Sequence, residues 1–238
     1  MNLPKISVIT VVRNDVAHIE QTMLSVLGQT YGNVEYIVID GGSTDGTVDI
    51  IKKYADKLAY WVSEPDGGIY PAMNKGLHHA TGEWVNFMNS GDSFADDNVL
   101  EEVFGGKYSL ESKHVIGGHT HKIFADHIEE MYALDGPAIY CELPFCHQST
   151  FVRFRPENPW RFNNYSFRIA ADYALLYEIA EKYGTDSFFV VDRFISNYRM
   201  EESMTFSNLR KAKKEYLNIQ SAHINFRWIK EVIKFIFK

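Results

Sequence analysis

The sequence predicts an α/β fold in which a mostly parallel sheet is flanked by helices and followed by a helical extension. Short strand-like runs alternate with amphipathic helical segments over the first hundred residues. The runs are rich in β-branched residues and nearly free of charge, as buried parallel strands are. The chain of 238 residues, 45% of them hydrophobic and 23% charged, is long enough to bury a substantial core.

Four strands are predicted in the first half, over 6–12, 34–39, 59–62 and 84–88. Apolar residues at helical spacing follow the first strand from Ile19 and the second from Val48. A third helix follows Asp66–Gly68, with Pro71 in its first turn. Strands and helices therefore alternate, which predicts a parallel sheet covered on both faces.

Polar or glycine-rich segments follow each predicted strand. They are residues 10–14, 40–43, 64–68 and 89–92, and three of them carry carboxylates. Because ligands bind beyond the carboxyl ends of the strands in such sheets, these segments predict a site for a polar, phosphorylated ligand.

The second half is less regular. It contains a predicted strand over 113–124 with a break at Gly117–Gly118, a loop and short strand over 142–155, a helix over 168–182, a strand over 188–191 and a helix from 207 onward. We divide the chain into one domain over 1–205, with halves 1–100 and 101–205, and an amphipathic helical tail over 206–238.

Composition narrows the classes of partner and compartment. A net charge of −7 gives no electrostatic basis for binding nucleic acid. Cys141 and Cys146 are expected to be reduced thiols rather than a disulfide. The first residues lack the apolar segment of a secretory signal, and no apolar run approaches the roughly 20 residues of a membrane-spanning helix. We therefore expect a cytoplasmic protein.

Two aspartates follow buried strands. Asp40 precedes the loop Gly41–Gly46, which matches neither a dinucleotide fingerprint nor a P-loop. A carboxylate there is costly without a partner, which favours contact with a nucleobase N–H or a ribose hydroxyl. Asp92 is suited to hold Mn²⁺ or Mg²⁺ together with a diphosphate, and its alternative role is to cap the segment that follows.

Asp172 stands in apolar surroundings within a predicted helix, although aspartate is a mediocre helix former. Two explanations remain open: an interaction with the helix dipole in the first turn, or a role as a general base. His147 and Gln148 follow Pro144–Cys146, and by themselves they indicate no more than a polar pair in a loop.

The end of the tail, 224–238, has one broad apolar face. Ile224, Trp228, Ile229, Val232, Ile233, Ile236 and Phe237 form that face, and mostly basic residues lie opposite. This pattern predicts a helix lying in a membrane interface. Packing on the domain or on a second subunit, as in a homodimer, is the alternative.

Taken together, these segments resemble the bacterial inverting GT-A glycosyltransferases of family 2. The resemblance is carried by residues 6–14, 38–47, 63–76, 80–83, 87–92, 146–150 and 169–173, in that order, and covers about residues 4 to 200. It implies a GT-A-like fold with a nucleotide-binding half, 1–100, and an acceptor-side half, 101–205.

The resemblance also implies roles for individual residues. Donor-nucleotide contacts are implied for Thr10, Val12, Arg13, Asp40, Gly41, Asp66, Lys75, Asn89 and Ser90. Asp92 would hold the divalent cation, Asp172 would be the catalytic base, and His147 and Gln148 would lie on the acceptor side. Two positions that are often aspartate in the family are glycine here, Gly41 and Gly91.

The implied activity is transfer of a sugar, with inversion, from a nucleoside diphosphate donor to a glycan or lipid-linked glycan, in cell-surface polysaccharide biosynthesis. The chain would work in the cytoplasm, in peripheral contact with the inner membrane through 224–238. A nucleotidyltransferase is a weaker interpretation, because residues 11–14 lack the glycine-rich basic loop that grips a triphosphate. A nucleotide-sugar-binding scaffold without turnover is the remaining alternative.

Overall fold

The structure, a computed structural model, describes residues 3–157, 159–200 and 208–222. Its strands are β1 (Ile6–Val12), β2 (Val34–Asp40), β3 (Tyr60–Ser63), β4 (Trp84–Phe87), β5 (Ser93–Phe94), β6 (Val115–Ile123), β7 (Ile128–Met131), β8 (Thr150–Arg153) and β9 (Phe188–Arg199). Its α-helices are α1 (Ile19–Leu27), α2 (Thr47–Lys53), α3 (Ile69–His79), α4 (Val99–Phe104), α5 (Ala171–Tyr183) and α6 (Leu209–Ala222). The predicted α/β class is confirmed.

One sheet joins both halves of the chain. Within the described residues its order is β3-β2-β1-β4-β8-β6-β9-β5, with β7 paired to β6. The strands β3, β2, β1 and β4 are parallel, so their carboxyl ends meet at one edge. β8 pairs antiparallel with β4 and begins at that same edge. The predicted site segments therefore converge there.

Side chains alternate across β1 between two hydrophobic clusters. Ile9 and Val11 pack with α3 and α5 on one face of the sheet. Val8 and Val12 pack with α1 and α4 on the other face. All seven residues of β1 are buried, which explains why its sequence carries no charge and is mostly apolar.

Three predicted elements differ in extent from the observed ones. β6 continues through Gly117–Gly118, and a shift in its pairing with β9 absorbs the glycines. β9 extends to Arg199, well beyond the predicted end at Val191, because it pairs with β6 along its length. α5 begins at Ala171 rather than Arg168, which puts Asp172 in its first turn.

The described part of the predicted tail packs on the domain. Ala212 and Ile219 of α6 are buried, and Ile219 belongs to the cluster that contains α5. The predicted interfacial face over 224–238 lies outside the described residues. None of the helices that the structure describes has the length and apolar character needed to cross a membrane. Both cysteines are free.

α3 lies close against β1 at Gly76. A Cβ atom at this position would lie 2.5 Å from Ile9 Cγ2, closer than two carbons can approach. The absent side chain therefore sets the distance between the helix and the sheet.

We predict that Gly76→Ala lowers the free energy of unfolding by about 1–3 kcal/mol, because the added methyl group overpacks this contact. Urea denaturation measures the change. Gly32→Ala is the matched control, since a Cβ there meets no atom within 4 Å. Equal stability of the two variants would show that α3 can move away from β1 at little cost.

Candidate functional site

A cleft of about 320 Å³ opens at the carboxyl edge of the parallel strands. Its walls come from the segments after β1 and β4, the start of α3, the turn before β8, the start of α5 and the end of β9. It brings together nine of the predicted site residues. They are Val12, Arg13, Asp66, Asn89, Ser90, Asp92, His147, Gln148 and Asp172.

The loop after β4 is fixed by a buried threonine of α1. Thr22 Oγ1 donates a hydrogen bond to the Asp92 carbonyl at 2.7 Å and accepts one from the Gly91 amide at 3.1 Å. Gly91 has φ +92°, a left-handed conformation that strongly favours glycine. The backbone of this loop therefore explains why glycine stands at position 91.

Asp92 is only 6% exposed and accepts hydrogen bonds on both carboxylate oxygens. Gln148 Nε2 donates to Oδ2 at 2.6 Å, and the Arg199 amide donates to Oδ1 at 3.0 Å. Burial raises the pKa of Asp92 to about 6, and these two hydrogen bonds oppose the rise. The carboxylate is consequently ionised above that pH.

Gln148 has a fixed orientation, because Cys146 Sγ donates to its Oε1 at 2.8 Å. Burial raises the pKa of the Cys146 thiol, so it keeps the proton that it donates. The amide nitrogen of Gln148 is thereby directed at Asp92. Gln148 supports Asp92, a contact that the predicted acceptor-side role did not include.

Asp172 extends from the first turn of α5 and is 15% exposed. Its Oδ2 lies 3.6 Å from His147 Nδ1, and His147 Nε2 lies 3.0 Å from Asn89 Nδ2. Since the Asn89 amide nitrogen can only donate, Nε2 accepts and the ring proton is on Nδ1, toward Asp172. The catalytic role of Asp172 stays a prediction.

Tyr70 of α3 contacts the same carboxylate. Its hydroxyl lies 3.2 Å from Asp172 Oδ1 and donates to the Ile169 carbonyl at 2.6 Å. Burial, and then the charge of Asp172, raise the pKa of Tyr70 well above its ordinary value. Tyr70 therefore stays protonated and helps to position the start of α5.

A carboxylate of α6 caps α5. Glu215 accepts hydrogen bonds from the amides of Arg168, Ile169 and Ala170 at 3.2, 2.9 and 2.9 Å. These are amides at a helix start that lack partners within the helix, and their dipole favours an anion. Glu215 thus holds the segment that leads directly into Asp172.

Four predicted donor residues do not line the cleft. Thr10 is buried, and its hydroxyl donates to the Met88 carbonyl. The Asp40 carboxylate accepts hydrogen bonds from the amides of Gly42 and Ser43 and from the hydroxyls of Ser43 and Ser63. Lys75 forms an ion pair with Glu64 at 2.8 Å. The nucleotide contacts predicted for these residues stay predictions.

Gly41 is the fourth predicted donor residue that does not line the cleft, and its lack of a side chain makes room for Asp66. A Cβ at Gly41 would lie 2.7 Å from Asp66 Oδ2. Asp66 Oδ1 accepts a hydrogen bond from the Gly68 amide at 2.9 Å. The carboxylate in this part of the cleft therefore comes from residue 66, and a side chain at position 41 would collide with it.

The oxygen donors in the cleft suit a hard divalent cation that a substrate helps to bind. No cluster of three or more His, Cys, Asp or Glu side chains that could hold a metal occurs in the described part of the chain. Asp92 offers one carboxylate, and the buried Asn89 Oδ1 has no hydrogen-bond partner among the described residues. Mg²⁺ and Mn²⁺ often bind to one or two carboxylates plus substrate phosphates, and this donor set fits that pattern.

Sequence reasoning did not assign roles to Thr22, Tyr70, Arg199 or Glu215. The Arg199 guanidinium lines the cleft and adds positive charge beside Asp92. These residues act through contacts with segments about 70 to 110 residues away, or 45 to 47 for Glu215, and no local pattern reports such contacts. The sequence also suggests that the segment 198–206 could close over the donor, and residues 201–206 of that segment lie outside the described residues.

Comparison with known proteins gives a family match over most of the chain. Residues 7–184 match the family described as Glycosyl transferase family 2. A protein of Mycobacterium tuberculosis described as an uncharacterized glycosyltransferase is 45% identical over 100 residues, which cover 42% of this chain and 38% of the relative. A PGL/p-HBAD biosynthesis glycosyltransferase of Mycobacterium bovis is 30% identical over 179 residues, which cover 73% of this chain and 68% of the relative.

Solved structures share the fold. TarS residues 1–349 of S. aureus, in complex with UDP-GlcNAc, gives a TM-score of 0.63 at 20% identity over 85% of this chain and 60% of that one. The mannosyltransferase PcManGT of Pyrobaculum calidifontis, in complex with GDP-Man and Mn²⁺, gives 0.63 at 16% identity over 93% and 64%. The fold is GT-A-like.

We predict that Glu215→Ala lowers the free energy of unfolding by about 1–2 kcal/mol, because three amides lose their cap. Urea denaturation measures the loss. Glu111→Ala, at an exposed loop position, removes the same charge and should change stability by less than about 0.5 kcal/mol. Equal unfolding free energies for the two variants would show that water can replace the Glu215 hydrogen bonds without loss of stability.

Proposed function

The chain belongs to glycosyl transferase family 2, and we propose that it moves a sugar, with inversion, from a nucleoside diphosphate donor to a hydroxyl group of a glycan or lipid-linked glycan. The observation that carries the proposal is the pairing of two different carboxylates in one cleft. Asp92 is buried at the end of β4, whereas Asp172 is part-exposed at the start of α5. One is suited to the donor diphosphate and the other to the acceptor.

Asp172 is the proposed base. An acceptor hydroxyl has a very high pKa, so a carboxylate must take its proton as the new bond forms. The acceptor oxygen then attacks the anomeric carbon from the side opposite the leaving diphosphate, which inverts the configuration. Tyr70 and His147 lie 3.2 and 3.6 Å from the Asp172 carboxylate and would help to orient it for this transfer.

The donor is proposed to bind along the ends of β1 and β4. Arg13 and Arg199 line the cleft and would neutralise diphosphate charge, while Asp66 and Ser90 offer hydrogen bonds to the nucleoside. A divalent cation on Asp92 and Asn89 would offset the negative charge that develops on the leaving diphosphate. The solved relatives bind UDP-GlcNAc in one case and GDP-Man with Mn²⁺ in another, which supports this class of donor.

The acceptor and the cellular setting follow from relatives and from the sequence of the tail. One relative is described as a PGL/p-HBAD biosynthesis glycosyltransferase, which supports sugar transfer in a biosynthetic pathway. The amphipathic pattern over 224–238 supports peripheral contact with the cytoplasmic membrane. We therefore propose a lipid-linked or polysaccharide acceptor in envelope glycan assembly.

A panel of nucleoside diphosphates and their sugars, with and without Mn²⁺, tests the donor site by thermal unfolding. A donor at a hundred times its dissociation constant should stabilise the protein by about 2.7 kcal/mol. Asp92→Asn should remove the part of this effect that depends on Mn²⁺. Asp186→Asn, at an exposed position, should leave it unchanged. No response to any nucleotide would refute the proposed donor site.

We predict that Asp172→Asn lowers sugar transfer by about 10²–10⁴-fold, since the variant has no base for the acceptor proton. Nucleotide affinity should stay within about twofold, because Asp172 acts on the acceptor. Product formation is measured with the donor that the panel identifies, or as donor hydrolysis when no acceptor is supplied. Transfer at the rate of the unchanged protein would remove Asp172 from the role of base.

A further inference from the structure

A second cleft, of about 210 Å³, lies at the far end of β8, away from the carboxyl edge of the parallel strands. It is bounded by the chain before β6, the chain after β8 and one side of α5. Within the described part of the chain, no residue lines both this cleft and the cleft that contains Asp92 and Asp172. The residues that matter here are His114, Arg153, Arg155, Trp160, Glu178, Lys182 and Tyr183.

Three cationic side chains line this cleft, and one of them, Arg153, forms contacts that stabilise the fold. Arg153 donates to the carbonyls of Leu110 and Lys113, and it pairs with Glu83. The side chains of Arg155 and Lys182 form no ion pair or hydrogen bond with any residue that the structure describes. Both are exposed, and Lys182 lies over the Tyr183 ring.

Among the described residues that line the cleft, Glu178 alone carries a carboxylate. Arg155 and Lys182 outnumber this carboxylate. The cleft therefore has an excess of positive charge in a protein whose net charge is −7. An anion is attracted to this cleft although the chain as a whole repels it.

His114 supplies a polar group that lacks a partner. Its ring stacks on Tyr183 with the centroids 3.7 Å apart, and its Nδ1 is buried without a hydrogen-bond partner among the described residues. Burial, and then Arg153, Arg155 and Lys182, lower the pKa of His114. The neutral ring can accept a hydrogen bond from a hydroxyl group, and the protonated ring can donate one to a phosphate oxygen.

We propose that this cleft binds a sugar phosphate, with the phosphate group on Arg155 and Lys182 and the sugar beside the His114 imidazole. The ring of Trp160 forms an apolar wall beside these polar groups, as expected for a sugar ring. Trp160 also packs on Phe162, which lines the catalytic cleft, at 5.7 Å between centroids. The two clefts therefore share one aromatic wall.

The test uses glucose 1-phosphate as the probe, with inorganic phosphate and glucose for comparison. Binding is followed by NMR at the His114 imidazole, which reports this cleft alone. Glucose 1-phosphate should shift the His114 signals and bind more tightly than inorganic phosphate, and glucose should not shift them. Arg155→Gln and Lys182→Gln should each weaken binding by about tenfold or more, since each removes a charged hydrogen bond.

The double variant R155Q/K182Q has a matched control in K52Q/K53Q, which removes two exposed lysines of α2. The control should bind the probe as the unchanged protein does, and both should keep the thermal response to nucleotides. Absence of a His114 shift, or a shift that survives in R155Q/K182Q, would overturn the proposal. Because this readout involves no nucleotide, it stands or fails separately from the proposed transferase activity.

Discussion

The architecture of the cleft depends on satisfying a buried carboxylate. Asp92 is almost removed from solvent, where an ion without partners is costly. Three segments that are distant in the chain meet around it: Thr22 binds its carbonyl, Gln148 binds one carboxylate oxygen, and the Arg199 amide binds the other. The loop after β4 is therefore joined through one residue to α1, to the start of β8 and to the end of β9, and a shift in any of them would leave a charge or an amide unpaired.

The fold was largely predictable from the sequence, because the first half obeys local rules. Six of the seven residues of β1 are apolar or β-branched, and the observed strand has the predicted bounds, 6–12. The errors concerned where strands and helices begin or end, and not whether a segment is a strand or a helix. The residues after Val191 were not predicted as a strand from their local pattern. β9 reaches Arg199 because it pairs with β6. Pairing with a strand distant in the sequence sets the end of β9, and local strand propensity does not predict it.

The candidate site was predicted in part. Nine of thirteen predicted residues line the cleft, since the segments after parallel strands must meet at one edge. Asp40 illustrates the limit: sequence reasoning recognised that a carboxylate there needs partners, but the loop that follows supplies them itself. Glu215 shows the opposite case, because its partners precede it by 45 to 47 residues and no spacing rule connects them.

The antiparallel pairing of β8 with β4 has a consequence for how the molecule can be divided. The two predicted halves, 1–100 and 101–205, share one continuous sheet, and β8 covers the outer edge of β4. A fragment that ended near residue 100 would expose the backbone of β4 as a free, apolar strand edge, which invites pairing with another chain. The half over 1–100 is therefore not an exchangeable module, and chimaeras between relatives should join the chain outside the sheet rather than between its halves.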